Sequence, residues 1–303
     1  MNTKNKSDLI RIQLAKDIIV KHLKGEKQLA PIKEYADQFK VGTGTVQAAI
    51  NDLKTAGAIK LDTRGAQGSF LEKVDKKKLW KISEYGPLVG LFPLDKNLEV
   101  KALATGIYES FTHYDLPIHI LFSRGSGNRV DMLLRGKCDF IVMSELAYQH
   151  AIYKGKALIK ICEVGTWSRQ YGVLALKGKK LDSSTTIAYD RHSYEQEALI
   201  WGTDQKEHAY GQYLGVQLLE IIRSGQAEAG LFNSESLNEV DDKFEFHLID
   251  NISPDTKAAL DKMVLVVAEK NKSIAELMSI LCSWKGLHTV QQAVLRGERF
   301  VEY

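Results

Sequence analysis

Val130-Asp-Met-Leu-Leu-Arg-Gly136-Lys-Cys-Asp139-Phe-Ile-Val-Met-Ser144 has a counterpart 89 residues downstream, Leu219-Glu-Ile-Ile-Arg-Ser-Gly225-Gln-Ala-Glu228-Ala-Gly-Leu-Phe-Asn233. In both, an apolar segment with helical spacing stops at a glycine, the residue that most readily turns left-handed past a helix end. Three positions later stands an acidic residue, then an apolar run suited to a strand buried on both faces, then a polar residue. Such strands need helices on both sides, so two copies imply two α/β lobes. Ligands of open α/β sheets bind outside the carboxyl ends of the strands, which aims Ser144 and Asn233 at a shared cleft. Asp139 and Glu228 belong to separate lobe joints and read as residues that cap or pair at helix ends, not as an acid/base pair.

Outward from this pair the alternation continues. Residues 88–92 form a short apolar run, 98–111 repeat with helical period, 117–122 suit a strand, 128–135 a helix and 140–143 a buried strand. That order predicts lobes with largely parallel sheets. Segments 157–164 and 171–176 suit a crossing out of the first lobe, 263–268 the return, and 274–281 and 286–296 closing helices. Lobe one then holds about 87–165 plus 269–303, and lobe two about 180–255.

The first 80 residues are patterned differently. Leu9, Ile10, Leu14, Ile18, Ile19 and Leu23 predict a helix over 8–24, with Ser7 as N-cap and Gly25 as stop. A second helix starts at Pro31, where a missing N–H is harmless, and carries Ile32, Tyr35, Ala36 and Phe39 on one face. After a break at 40–44, a third helix over 43–56 buries Val46, Ala49, Ile50 and Leu53 and ends at Gly57. Two short strands, 58–61 and 69–74, flank a Gly-rich turn. This is a winged helix-turn-helix pattern, in which one helix enters the DNA major groove and the wing lies along the backbone or minor groove. The candidate DNA contacts are Lys33, Thr43, Thr45, Gln47, Asn51, Arg64 and Gln67. Lys76-Lys-Lys-Leu-Trp80-Lys-Ile-Ser-Glu reads as a charged connector, so the boundary falls near residue 80 and the domains are 1–80 and 81–303.

Composition supports the division. The chain has 303 residues, more than one core usually serves, with 44% hydrophobic and 26% charged residues, an ordinary globular balance. Its net charge of +3 is a cancellation: residues 1–81 carry 17 Lys and Arg against nine Asp and Glu, or +8, leaving −5 for the rest. A basic block in a small domain is the footprint of a polyanion binder, although lysines also decorate solvated helices. The longest apolar run, 263–268, is six residues, far short of the roughly 20 that cross a bilayer. Residues 1–8 are polar and lead into a segment without the features of a secretory signal, so the expectation is a soluble, cytoplasmic protein. Cys138, Cys162 and Cys282 are too far apart for a CxxC pair and too few for a disulfide framework, and read as reduced, buried thiols.

The N-terminal segment resembles the GntR type of winged-helix domain. The resemblance rests on Leu29-Ala-Pro-Ile-Lys-Glu-Tyr-Ala36, Val41-Gly-Thr-Gly-Thr-Val46, Leu53-Lys-Thr-Ala-Gly57-Ala-Ile59 and the wing Arg64-Gly-Ala-Gln67-Gly68-Ser-Phe70-Leu. Where such domains often carry arginine, this chain has Lys33, Thr43, Gln47 and Gln67, which weakens an expectation of guanine reading; Gln47 and Asn51 favour adenine. The repeated helix, Gly, acidic residue and strand of Leu134-Arg-Gly-Lys-Cys-Asp139-Phe-Ile-Val and Ile222-Arg-Ser-Gly-Gln-Ala-Glu228-Ala-Gly is similar to the type 2 periplasmic-binding-protein fold, also used by LysR effector domains. Together the two parts resemble the YhfZ-like regulators. That resemblance implies an α/β chain with an N-terminal winged helix-turn-helix and a two-lobed effector domain.

Ligand candidates cluster at two strand-to-helix loops. Ser123-Arg-Gly-Ser126-Gly127-Asn128 offers backbone N–H groups at a helix start, a natural anion site, although an ordinary turn has the same pattern and no Walker ending follows. Tyr189-Asp-Arg191-His-Ser193-Tyr supplies a stacking ring, a cation and a cap, and Trp167-Ser-Arg169-Gln-Tyr171 adds a cation at the crossing. With Ser144 and Asn233 these suggest a small, anionic effector. Asp190, His192 and Ser193 are contiguous and cannot aim at one acyl centre, no GxSxG elbow occurs, and neither HExxH nor a Cys/His cluster is present. The expectation is therefore no enzyme, no metal and no cofactor. It is a homodimeric regulator that binds double-stranded DNA and a small molecule. A second reading keeps the two-lobed binding domain beside a vestigial winged helix.

Overall fold

The computed structural model describes residues 5–94, 96–202, 208–282 and 284–303. The first four residues of the polar segment 1–8 lie outside them. Two compact units form: Met1–Leu88 with Phe111–Ile118 and Glu276–Leu281, and Val89–Ser110 with His119–Ala275 and Cys282–Tyr303.

In the first unit α1 (Lys6–Leu23) is capped by Asn5, whose side-chain oxygen accepts from the Asp8 N–H at 2.8 Å. Ser7, the expected cap, therefore lies inside the helix. Helix α2 (Ile32–Phe39) follows Pro31 and stops where Lys40 turns left-handed at φ 53°. A three-residue turn leads to α3 (Thr43–Thr55), which buries Val46, Ala49, Ile50 and Leu53 at i, i+3, i+4 and i+7. Strands β1 (Ile59–Thr63) and β2 (Ser69–Val74) pair antiparallel, and Gln28 bridges to Phe70 beside them. The expected connector is instead helix α4 (Lys76–Ser83), capped by Asp75, with Leu79 and Trp80 buried. Its lysines face water while the apolar face packs on α1, so the segment belongs to this unit's core.

The second unit is built on two mixed sheets. The first has the order β4-β3-β5-β12-β6: Ile118–Phe122, Leu88–Phe92, Phe140–Ser144, Lys262–Ala268 and Leu158–Thr166. The second has the order β11-β7-β10-β8-β9: Phe244–Leu248, Tyr171–Leu176, Ala229–Asn233, Thr186–Asp190 and Ala209–Tyr213. Strands β3 and β5 are parallel, as are β10, β8 and β9. However, β12 runs antiparallel to β5 and β6, and β7 antiparallel to β10 and β11. The sheets are thus less uniformly parallel than expected, because the crossing strands become sheet members running against their neighbours. For the same reason the second lobe begins at Tyr171, earlier than about 180, and 262–268 belongs to the first lobe.

The repeated sequence explains itself in this frame. Gly136 and Gly225 stand at φ 69° and 73°, ending α6 (Ser126–Leu134) and α9 (Leu218–Arg223). The Asp139 carboxylate accepts from the Val89 N–H at 2.8 Å, and Glu228 accepts from the Thr186 N–H at 3.0 Å. Each acidic residue therefore pins the start of the neighbouring strand, β3 or β8, instead of capping a helix. Ser144 and Asn233 end β5 and β10 and cap the helical turns that follow, accepting from the Ala147 and Ser236 N–H groups.

Candidate functional site

The residues expected to contact nucleic acid stand on α2, α3 and the wing. Packing of Val46, Ile50 and Leu53 inward turns Thr43, Gln47 and Asn51 outward, and these are exposed, with Thr45 half-buried. Gln47 Nε2 donates to Asn51 Oδ1 at 3.4 Å, so the two amides share one helix face, one turn apart. Lys33 on α2 and Gln67 at the wing tip are exposed too. Arg64 is exposed but engaged: its Nε donates to Asp62 at 2.6 Å and its guanidinium stacks on Phe70 at 4.7 Å. Six of the seven expected contact residues are thus exposed and Thr45 is half-buried, with Arg64 partly neutralised.

The second site is the cleft between the two sheets of the second unit. It is a cavity of about 110 Å³ whose lining includes Ser123, Arg124, Ser126 and Arg129 from the first lobe and Asp190, Ser193, Glu195, Asn233 and Glu235 from the second. Trp167, Arg169 and Tyr171 line it from the crossing. The crossing is held by α10 (Pro254–Asp261): Asp261 accepts from the Trp167 and Arg169 N–H groups, and Lys257 Nζ donates to the Arg169 carbonyl at 2.7 Å.

Three buried charges sit at its heart. Arg129 is 3% exposed, Arg169 4% and Glu195 4%. Charges of this kind are costly unless paired and hydrogen-bonded. Glu195, near the start of α8 (Tyr194–Gly202), accepts from Ser126 Oγ at 2.5 Å and Ser144 Oγ at 3.0 Å, and lies 3.8 Å from Arg169 Nη1. Burial by itself would raise its pKa; the charges of Arg169 and Arg129 and the Ser126 hydroxyl outweigh that and hold it below the usual carboxylate range. Arg129 donates to the Ser123 carbonyl at 2.8 Å, and desolvation pulls its pKa down to about 10, still well above neutrality. Arg169 donates to the Leu260 carbonyl at 2.8 Å and lies on the Trp167 ring at 3.8 Å. Both arginines keep a buried Nε–H without a hydrogen-bond partner. Such donors cost stability unless something accepts from them. Glu235 accepts from Asn97 and Trp167; burial pushes its pKa up against these hydrogen bonds.

The loop at α6 does something other than expected. The Gly127 N–H donates to the His192 carbonyl at 2.8 Å, and Ser126 Oγ accepts from the Tyr194 N–H at 2.9 Å. The helix start expected to receive an external anion therefore receives the backbone of the opposite lobe and the Glu195 carboxylate. Gly125, at φ 76°, permits the approach: a Cβ there would stand 2.8 Å from the His192 carbonyl oxygen.

Of the predicted ligand residues, Ser123, Ser126, Arg169, Ser193 and Asn233 line the cleft. Ser144 lies behind it on Glu195, and Asn128 donates weakly to the Arg124 carbonyl. Arg191 is exposed outside the lining, and Tyr189 lines a separate, more apolar cavity of about 700 Å³ with His150, Lys154 and Glu197. Those three already pair, at 2.9 and 2.6 Å. Arg129, Glu195 and Glu235 escaped the sequence reading. Arg129 carried a signal, as a cation one helical turn into α6 behind the Gly-Ser-Gly loop; Glu195 could be placed only once the lobes were opposed.

Among the described residues no group of His, Cys, Asp and Glu could hold a metal, and no helix is long and apolar enough to cross a membrane. Cys138 and Cys282 are buried and Cys162 half-buried, all unpaired thiols; burial pushes Cys138 up to about 12 and Cys162 to about 11.

Comparisons with known proteins place both parts. Residues 75–303 match the YhfZ C-terminal domain, and residues 24–71 match a helix-turn-helix domain. The uncharacterized protein YhfZ of Escherichia coli (strain K12) is 28% identical over 230 residues, 73% of this chain and 74% of that one. The crystal structure of YhfZ from Shigella flexneri aligns with a TM-score of 0.57 at 20% identity, covering 73% of this chain and 94% of that one. A solute receptor for L-cysteine from Neisseria gonorrhoeae aligns at 0.50 with 13% identity, over 72% and 91%. These likenesses show the fold: a helix-turn-helix domain followed by a two-sheet domain resembling periplasmic-binding-protein-like folds.

Proposed function

The chain belongs to the family defined by the YhfZ C-terminal domain, and from that membership we propose that it is a ligand-responsive transcriptional regulator. Its winged helix, GntR-like in pattern, binds double-stranded operator DNA, and its interlobe cleft binds a small anionic effector. It acts in the cytoplasm, as a homodimer on a two-fold site, and it binds its effector without converting it. The observation that carries the reading is the pair of buried guanidinium side chains that line the cleft, Arg129 and Arg169, each of which also keeps a buried Nε–H without a hydrogen-bond partner. A buried cation that keeps a free donor is a standing demand for an acceptor, and in a regulator the acceptor is the signal.

Ligand binding alters DNA affinity only through differential affinity for two conformations. Here the two are the cleft closed, with Ser126 and Gly127 bonded across the lobes, and the cleft open. The test is selection of duplexes from random DNA by the full chain, followed by gel shift across salt concentrations, with and without a panel of small anions. Selected two-fold sites, a steep salt slope and an anion-dependent shift support the proposal. The paired Arg64 favours a second reading, a small-molecule-binding protein with a vestigial winged helix. Anion binding without DNA binding even at low salt would establish that reading instead.

A further inference from the structure

The cleft's own charges set the valence of what it binds, an inference that rests on the anionic-effector reading above. At the buried centre stand two cations, Arg129 and Arg169, and one anion, Glu195. The wider lining keeps the same balance: Lys96 and Arg124 add two positive charges, Asp190 and Glu235 two negative ones. Both counts leave one excess positive charge. A dianion would bring one uncompensated negative charge against buried charged groups, and a neutral ligand would leave a buried cation unanswered.

Glu195 is held where it subtracts that charge. Ser126 and Ser144 from one lobe and Arg169 from the crossing all contact its carboxylate, which occupies the start of α6 that an external anion would otherwise use. An incoming anion is left with the guanidinium groups of Arg129 and Arg169, which line the cavity. Guanidinium donors suit a planar carboxylate, and a cavity of about 110 Å³ suits a small one. We propose that Glu195 is a specificity-determining residue that restricts the cleft to small ligands with one net negative charge, monocarboxylates above all, and that it does so as an internal stand-in for a second ligand carboxylate.

The experiment is a titration of the full chain, by calorimetry and thermal shift, with acetate, propionate and lactate against oxalate, malonate and malate. The wild type, Glu195→Gln and Glu195→Asp are compared. The wild type is expected to bind at least one monocarboxylate more tightly than its dicarboxylate counterpart. Glu195→Gln keeps the side-chain shape and removes one charge, so the preference should reverse in favour of the dicarboxylate, a change in the ratio of about tenfold or more. Glu195→Asp keeps the charge and should keep the order. Should Glu195→Gln fail to fold, Arg129→Met serves: it removes the excess positive charge, and monocarboxylate binding should fall about tenfold relative to the matching amide. Dicarboxylate preference in the wild type, or a ratio unmoved by these changes while anions still bind, would overturn this inference alone. Binding of neither class by the wild type would overturn the anionic-effector reading with it.

Discussion

Replacing Arg169 with Met tests whether the buried pair with Glu195 exists in solution. The pair stands at 3.8 Å with both side chains almost fully buried. At that separation, with an effective dielectric near 20, the attraction is about 4 kcal/mol. Arg169→Met also forfeits the bond to the Leu260 carbonyl and the stack on Trp167, so the single variant should lose about 3–5 kcal/mol, the usual cost of stranding a buried charge. Adding Glu195→Gln removes the stranded carboxylate and should recover about 1–3 kcal/mol of that loss, a coupling that separate losses would not produce.

The pH dependence supplies an independent sign. In the wild type Glu195 is held below its ordinary value, so its contribution is present above the unfolded carboxylate range and is lost as pH falls through the folded value. Without Arg169, burial dominates and the folded value rises above the unfolded one. Stability is then lost as pH rises, so Arg169→Met should become more stable, relative to wild type, between pH 7 and pH 5. The assay is urea unfolding of the full chain and the three variants at both pH values, followed by tryptophan fluorescence. Additivity of the two substitutions within about 0.5 kcal/mol, together with an unchanged pH slope, would refute the pairing.

Other outcomes follow from the same structure. Gln47→Ala or Asn51→Ala should each cost about 1–3 kcal/mol of discrimination at an adenine, whereas Lys33→Ala should weaken all sequences alike and reduce the salt slope by about 0.9, both read by gel shift on the selected duplex. Tyr35 donates to Asp17 at 2.5 Å, and burial pushes Asp17 above its ordinary value. Tyr35→Phe should therefore cost about 1–3 kcal/mol at pH 7 and less at pH 4, where the stranded carboxyl takes up a proton, as unfolding curves at both pH values would show. Gly125→Ala forces a side chain onto a positive φ and against the His192 carbonyl; a loss of about 2–4 kcal/mol is expected in thermal or urea unfolding, and a neutral result would contradict the interlobe contact.

What the sequence made legible was whatever local pattern determines. Helix α3 shows in the spacing of Val46, Ile50 and Leu53, and the lobe repeat in Gly136 and Gly225 with Asp139 and Glu228. Elements whose role depends on distant partners were harder to read. The lysine run 76–78 looks like solvated linker until Leu79 and Trp80 find α1. Strand β12 looks like a crossing until it inserts between β5 and β6. The cleft shows the same division. Arg169 and Ser126 were visible because their loops are, but Glu195 reaches them from 26 residues after Arg169 and 69 after Ser126, and no spacing rule connects the three. Conversely, Tyr189 and Arg191 sit in a loop of the right kind, yet the sheet turns them away from the cleft.

Whether the cleft controls the winged helix is read from operator affinity, measured by fluorescence polarisation at saturating concentration of a monocarboxylate shown to bind. A ligand-responsive regulator should change its affinity for the selected duplex by about fivefold or more, as a coupling of 1–3 kcal/mol requires, and the change should vanish in Arg129→Met. An operator affinity unmoved by saturating ligand would mean that the cleft does not control DNA binding.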